Sequence, residues 1–109
     1  MNWKLVFLPE AVNDLKNLGR NQQLLALKSI QKVQTNPLPT YNGGYGKPLG
    51  NKKSNNLSGF MKIKLRDAGI RVVYKLVRTE TQMLIIVIGA REDNEAYETA
   101  AKRIKKHDL

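Results

Sequence analysis

The sequence predicts one α+β domain: a small antiparallel-rich sheet packed by an N-terminal helical hairpin, in the order β-α-α-β-β-β-α. Three observations carry that expectation. Residues 60–66 alternate strictly, with Met61, Ile63 and Leu65 on one face and Phe60, Lys62, Lys64 and Arg66 on the other. That is the period of a strand with one face in water. Residues 9–33 carry two helical apolar stripes separated by Gly19. Met83 to Ala90, MLIIVIGA, is apolar on both faces, as expected of a central strand covered on each side. With 109 residues and no repeat, the chain reads as a single domain spanning 1–109.

Asn2 to Phe7 is the first strand. Pro9 opens the first helix, where its missing N–H is no loss, and Glu10 sits where the helix dipole favours an acid. Ala11, Val12, Leu15 and Leu18 mark one face before Gly19 ends the element. Asn21 is the expected cap of the second helix, with Leu24, Leu27, Ile30 and Val33 inward and Asn36-Pro37 as its stop. Helices so closely joined should form an antiparallel hairpin lying on the sheet. Pro37 to Ser58 reads as one long loop containing Gly43, Gly44, Gly46 and Gly50, with Lys47, Lys52 and Lys53. A surface excursion and a nucleic-acid contact both fit it. Its glycines lack the spacing and context of a phosphate-cradling loop.

Asp67-Ala68-Gly69 supplies the next turn, Gly69 taking a positive φ, and Ile70 to Val77 returns as a β-branched strand bearing Arg71 and Lys75. Arg78 to Gln82 is a polar turn. Asp93 or Asn94 caps the last helix, whose apolar side is Ala96, Tyr97, Ala100, Ala101 and Ile104. Lys102, Arg103, Lys105 and Lys106 gather toward its C-terminal end, where cations suit the dipole.

The formal net charge is +10, which predicts attraction to nucleic acid, an anionic membrane or an acidic protein. Composition does not choose among the three. Cysteine is absent, excluding disulfides, thiol nucleophiles and cysteine metal sites. The N-terminal apolar run is too short for a signal peptide, and nothing approaches a ~20-residue membrane span, so a cytoplasmic protein without membrane partners is expected. The sole histidine, His107, falls in what reads as a frayed, inert tail.

Chemistry is thereby left to lysine, arginine and tyrosine. Lys62, Lys64, Arg66, Arg71 and Lys75 crowd one sheet surface with Asp67 the only acid nearby in sequence. Alternating lysines are commonly a solvated strand face, and Tyr97 by spacing is a core tyrosine; the cluster as a whole points to anion binding. Residues i and i+2 on a strand stand ~6.6 Å apart on one face, so Lys62 and Lys64 can flank one phosphodiester. Neighbouring cations should push lysine pKa values down, toward use as a base. Guanidinium groups stay charged and suit non-bridging oxygens. RNA cleavage needs only 2′-hydroxyl activation and protonation of the leaving oxygen, so no cofactor or metal is called for.

The segments KPLG and LSG around Lys47 and Leu57, then KIKLRDAGIRVVYKL and GAREDNEAYETAAKRI, together with the strand and helical hairpin before them, resemble the RelE toxins of bacterial toxin–antitoxin systems. The resemblance covers nearly the whole chain and implies a RelE-like fold. It also implies a metal-independent endoribonuclease, an mRNA interferase that enters the A site of the ribosome, on its small subunit, to cut mRNA by 2′-hydroxyl attack on the adjacent phosphate. By motif, Lys62 and Lys64 match the family's two strand lysines, implicated as general base and in charge stabilisation. Arg71 matches the arginine holding the transition-state phosphate. Arg91 matches the arginine that helps protonate the leaving oxygen, and Tyr97 the tyrosine that stacks on or orients the cut nucleotide. Arg66, Lys75, Lys47, Lys52, Lys53, Lys102 and Arg103 are the expected RNA and ribosome contacts. Expected partners are an acidic cognate antitoxin, the ribosome with its mRNA, and operator DNA only through the antitoxin complex. Ala90 departs from relatives that carry a lysine there, the loop from Tyr41 to Asn56 is longer than in compact members, and no imidazole is available. The alternatives are a ParE-like inhibitor of DNA gyrase and a basic RNA-binding module without catalysis.

Overall fold

The computed structural model describes residues 3–52 and 55–109, with the backbone alone at 51, 52 and 55. One five-stranded mixed sheet has the order β1-β5-β4-β3-β2. The predicted hairpin is β3 (Asn55–Leu65) and β4 (Ile70–Val77), turning through Gly69 at φ +67°. β5 (Gln82–Ala90) is antiparallel to β4, and β1 (Lys4–Phe7) is parallel to β5. The α+β class and each expected strand and helix are present; β1 is described from Lys4, and Asn2, expected in it, lies outside the described residues.

The segment 37–58 is not one loop. It contains a 3₁₀ turn at Thr40–Asn42, an edge strand β2 (Lys47–Lys52) and the start of β3. KPLGNK shows no alternation and carries proline and glycine, so pairing with β3 rather than propensity makes it a strand. Pro48 is tolerated because the strand lies at the sheet edge.

Helix α1 (Pro9–Lys16) and helix α3 (Asp93–Lys106) pack on β5, and α2 (Arg20–Gln34) packs on β3. Gly19, not Asn21, occupies the N-cap of α2. The buried stripe of α2 is Ala26, Ile30 and Val33, while Leu24, expected inward, is 58% exposed. It stands two positions before Ala26, which is about 200° around the helix.

The β1–β5 ladder stops at Phe7 and Ile85. The Ile86 carbonyl and Ile88 amide beyond it are satisfied by side chains from two helices. Arg103 on α3 donates to the carbonyl at 2.9 Å, and Asp14 on α1 accepts from the amide at 3.0 Å. The two residues also pair bidentately at 2.6 and 3.0 Å. Arg103→Ala strands both a carbonyl and a partly buried carboxylate. We expect a loss of roughly 2–3 kcal/mol in urea unfolding, below the ~3–5 of a fully buried broken pair.

His107 is not in a frayed tail. Its Nε2 sits 2.9 and 3.0 Å from the Glu10 carboxylate oxygens, tying the end of α3 to the start of α1. The His107 hydrogen bond, with lesser help from Lys106, holds the Glu10 carboxyl at about 2, below its ordinary 4.5. A depressed carboxyl contributes stability above its unfolded value and loses it as pH falls through the folded one. Stability should therefore fall from about pH 4.5 toward about 2. In Glu10→Gln that part of the fall should be missing when denaturation midpoints are compared across the range.

Candidate active site

Strand register gathers the cluster. Lys64 lies opposite Arg71, and Lys62 opposite Val73 on one side and Lys47 on the other. Arg71 is in turn opposite Ala90, the residue before Arg91. The first turns of α3 then meet Lys62 on the face of β3 opposite Met61, Ile63 and Leu65.

Tyr97 is 7% exposed, so the core reading holds for its ring, yet its hydroxyl reaches the site. Lys62 Nζ donates to that hydroxyl at 3.0 Å and lies 5.5 Å from the ring centroid. Asp93 Oδ1 accepts from Arg71 Nε at 2.7 Å and from Lys62 Nζ at 3.3 Å. Arg71 Nη1 donates to the Arg91 carbonyl, and the Arg91 amide donates to Glu95 at 3.2 Å. The Lys64 side chain is exposed beside them.

Two expectations change here. Asp67 is not the only acid near the cations: Glu92, not Asp93 or Asn94, holds the N-cap position of α3, and Asp93 binds Lys62 and Arg71 instead. Nor is the Lys62 pKa pushed down. Burial pulls it down, but hydrogen bonding and charge at Tyr97 and Asp93 outweigh this and leave it raised. The same contacts act on Asp93, where the Arg71 hydrogen bond most of all holds the carboxyl below its usual value. Lys62 therefore rests as an ammonium.

An ammonium and a guanidinium thus converge on one oxygen of one anion, with a phenol at hand. The same arrangement would serve a phosphate oxygen.

No protein-family model matches the chain. The mRNA interferase toxin RelE of Escherichia coli is 30% identical over 104 residues, covering 95% of this chain and 99% of that protein. The chain belongs to the RelE family. A mutant of E. coli toxin RelE in the free state superposes with a TM-score of 0.74 at 28% identity, over 95% of this chain and 99% of that one. The toxin in the intact E. coli RelBE toxin–antitoxin complex gives 0.62 at 26% identity, over 83% and 98%.

Within this RelE-family fold the remaining candidate cations part company. Lys47 and Arg66 line a cleft with Lys62 and Lys64. Lys75 turns away, its Nζ 5.5 Å over the Phe60 ring, and lines a different cleft with Tyr41 and Arg78. Phe60, expected in water, is buried beneath it. Arg103 is engaged with Asp14 and β5, and Lys102 is exposed on the same helix. Lys53 and the side chain of Lys52 lie outside the described residues. Asp93 is the site residue that sequence reading missed. The signal was its spacing: Asp93 and Tyr97 are i and i+4 on one helix, so a Tyr97 that meets the lysines brings Asp93 to the same face.

Proposed function

We propose that this chain is the toxin of a toxin–antitoxin pair and acts as a ribosome-dependent endoribonuclease, cutting mRNA in the A site by 2′-hydroxyl attack on the adjacent phosphate. The convergence of Lys62 Nζ and Arg71 Nε on a single carboxylate oxygen supports this reading most directly. In the complex, a non-bridging phosphate oxygen takes the place of that carboxylate oxygen. Arg71 and the Lys62 ammonium then stabilise charge building on the phosphorane. Lys64 stands on the same strand face to take the 2′-hydroxyl proton, Arg91 assists the leaving 5′-oxygen, and Tyr97 orients the nucleotide. Among the described residues, the Arg91 guanidinium makes no ion pair and is available for that task. Preorganised charge of this kind is usually the largest part of catalysis, with proton transfer adding ~10²–10⁴-fold.

The partner reading follows from charge. RelE is solved in complex with the RelB antitoxin, and a chain of net charge +10 fits an acidic partner that covers it. Operator DNA is reached through that complex. Cytoplasmic action at the ribosome accompanies this reading, and no described helix is long and apolar enough to cross a membrane.

Primer extension on mRNA from cells expressing the chain tests the proposal. New 5′ ends within translated regions, absent when ribosomes are withheld in vitro, are the expected result. Growth arrest with intact mRNA and defective DNA supercoiling would overturn it in favour of gyrase inhibition.

A further inference from the structure

The cleft beside Lys62 and Lys64 has walls the catalytic reading does not use. Past Lys62, β3 continues through Ile63, Lys64 and Leu65 with no partner in β2, whose ladder begins at Lys47. Helix α2 brings Lys32 to the cleft, and the segment before β2 brings Tyr45. With Lys47, Lys62, Lys64 and Arg66 these enclose about 350 Å³, and none of the lining residues is acidic.

Tyr45 is the member that the fold does not explain. It is 50% exposed, so its ring adds little to the core. Its backbone is nevertheless fixed. The Tyr45 amide donates to the Asn36 carbonyl at 3.0 Å, and the amides of Gly44 and Gly46 donate to Pro39 and Leu38 at 3.1 Å. Both glycines press against the body of the protein. A Cβ on Gly44 would lie 1.9 Å from the Leu38 carbonyl oxygen, and one on Gly46 2.2 Å from the Tyr74 hydroxyl. That hydroxyl is itself anchored, donating to the Pro37 carbonyl at 2.8 Å. Lys32 Nζ lies 5.5 Å from the Tyr45 ring centroid, over one face. A half-exposed aromatic ring on a fixed backbone, with a cation over it, thus stands at the mouth of a row of lysines.

We infer that this cleft is a nucleotide subsite, in which Tyr45 stacks a base of single-stranded RNA flanking the phosphate held at Lys62 and Arg71. Lys32, Lys47 and Arg66 contact the neighbouring phosphates. The assignment rests on the nuclease reading for the position of the cut phosphate. Rings interleaved with cations along a groove are how single strands are held, since every base offers a π-face. An acidic peptide would answer the cations, but the half-exposed ring among them answers a base. Fixing the ring beforehand removes much of the ordering cost of binding.

The test is a fluorescence titration of the whole protein with a short 2′-O-methyl oligoribonucleotide carrying a 2-aminopurine base, which 2′-hydroxyl attack cannot cleave. Stacking should quench the wild-type signal. Tyr45→Ala should bind roughly five- to a hundredfold more weakly and lose the quench, as removal of one base–aromatic stack does. Tyr45→Phe should keep both, while Tyr45→Leu, which keeps bulk without a π-face, should lose the quench and carries the comparison should the alanine variant fail to fold. Lys32→Ala should flatten the salt dependence by about 0.7 in log–log slope. Unchanged affinity and quench in Tyr45→Ala would overturn the subsite. So would a polyglutamate peptide whose binding depends on Tyr45 while the oligonucleotide's does not, which would mark a protein-docking groove. Because the probe is never cut, failure here is separate from failure of the nuclease reading, which primer extension decides.

Discussion

Arg71→Ala should lower ribosome-dependent mRNA cleavage by about 10²–10³-fold, the usual consequence of removing one preorganised donor from a developing oxyanion. The side chain has one described carboxylate partner, Asp93, and that carboxylate keeps Lys62 when the guanidinium goes. The fold therefore has little reason to respond, and thermal midpoints should stay close to wild type. Arg71→Lys restores a point charge without the planar fork, so it should recover only part of the rate. Both variants should still bind the antitoxin if the catalytic contribution is what was lost. Cleavage at the wild-type rate in Arg71→Ala, measured by primer extension with purified ribosomes, would remove Arg71 from the reaction.

Sequence carried the fold where local pattern and tertiary environment agree. The alternation at 60–66, the turn at Gly69 and the apolar run of β5 each say the same thing at every level, and each is found. It failed where long-range pairing overrides local preference. Nothing in KPLGNK reads as a strand until β3 lies beside it, and α2 begins one residue after a glycine that outcompetes the better-capping asparagine. The site divides in the same way. Strand register follows from periodicity, so the grouping of Lys62, Lys64 and Arg71 was legible in advance. Their charge environment was not, because Asp93 and Tyr97 arrive from about 30 residues further on, and only folding decides which groups they face. The cations were expected to act on one another. Instead the nearest neighbours of Lys62 are an acid and a phenol, and the sign of its shift is reversed.

That reversal makes Asp93→Asn the more informative substitution. On the proposed reading, the Asp93 carboxylate holds the place a phosphate oxygen would take, so RNA would bind against it. Two charges 4 Å apart interact by about 4 kcal/mol at an effective dielectric of 20. With Asp93 substantially exposed, solvent screening reduces this to an expected gain in RNA affinity of about tenfold for the variant. The amide also removes one of the two influences that raise the Lys62 pKa, leaving burial to act against Tyr97 alone. Any limb of the kcat/KM profile that belongs to Lys62, which reports the free protein, should consequently move to lower pH. Its slope then assigns the role of Lys62. Activity that rises along the shifted limb marks a base, and activity that falls marks an ammonium whose charge is required. A kcat/KM profile identical to wild type, together with unchanged RNA affinity, would mean that the Asp93–Lys62 contact does not govern the free protein.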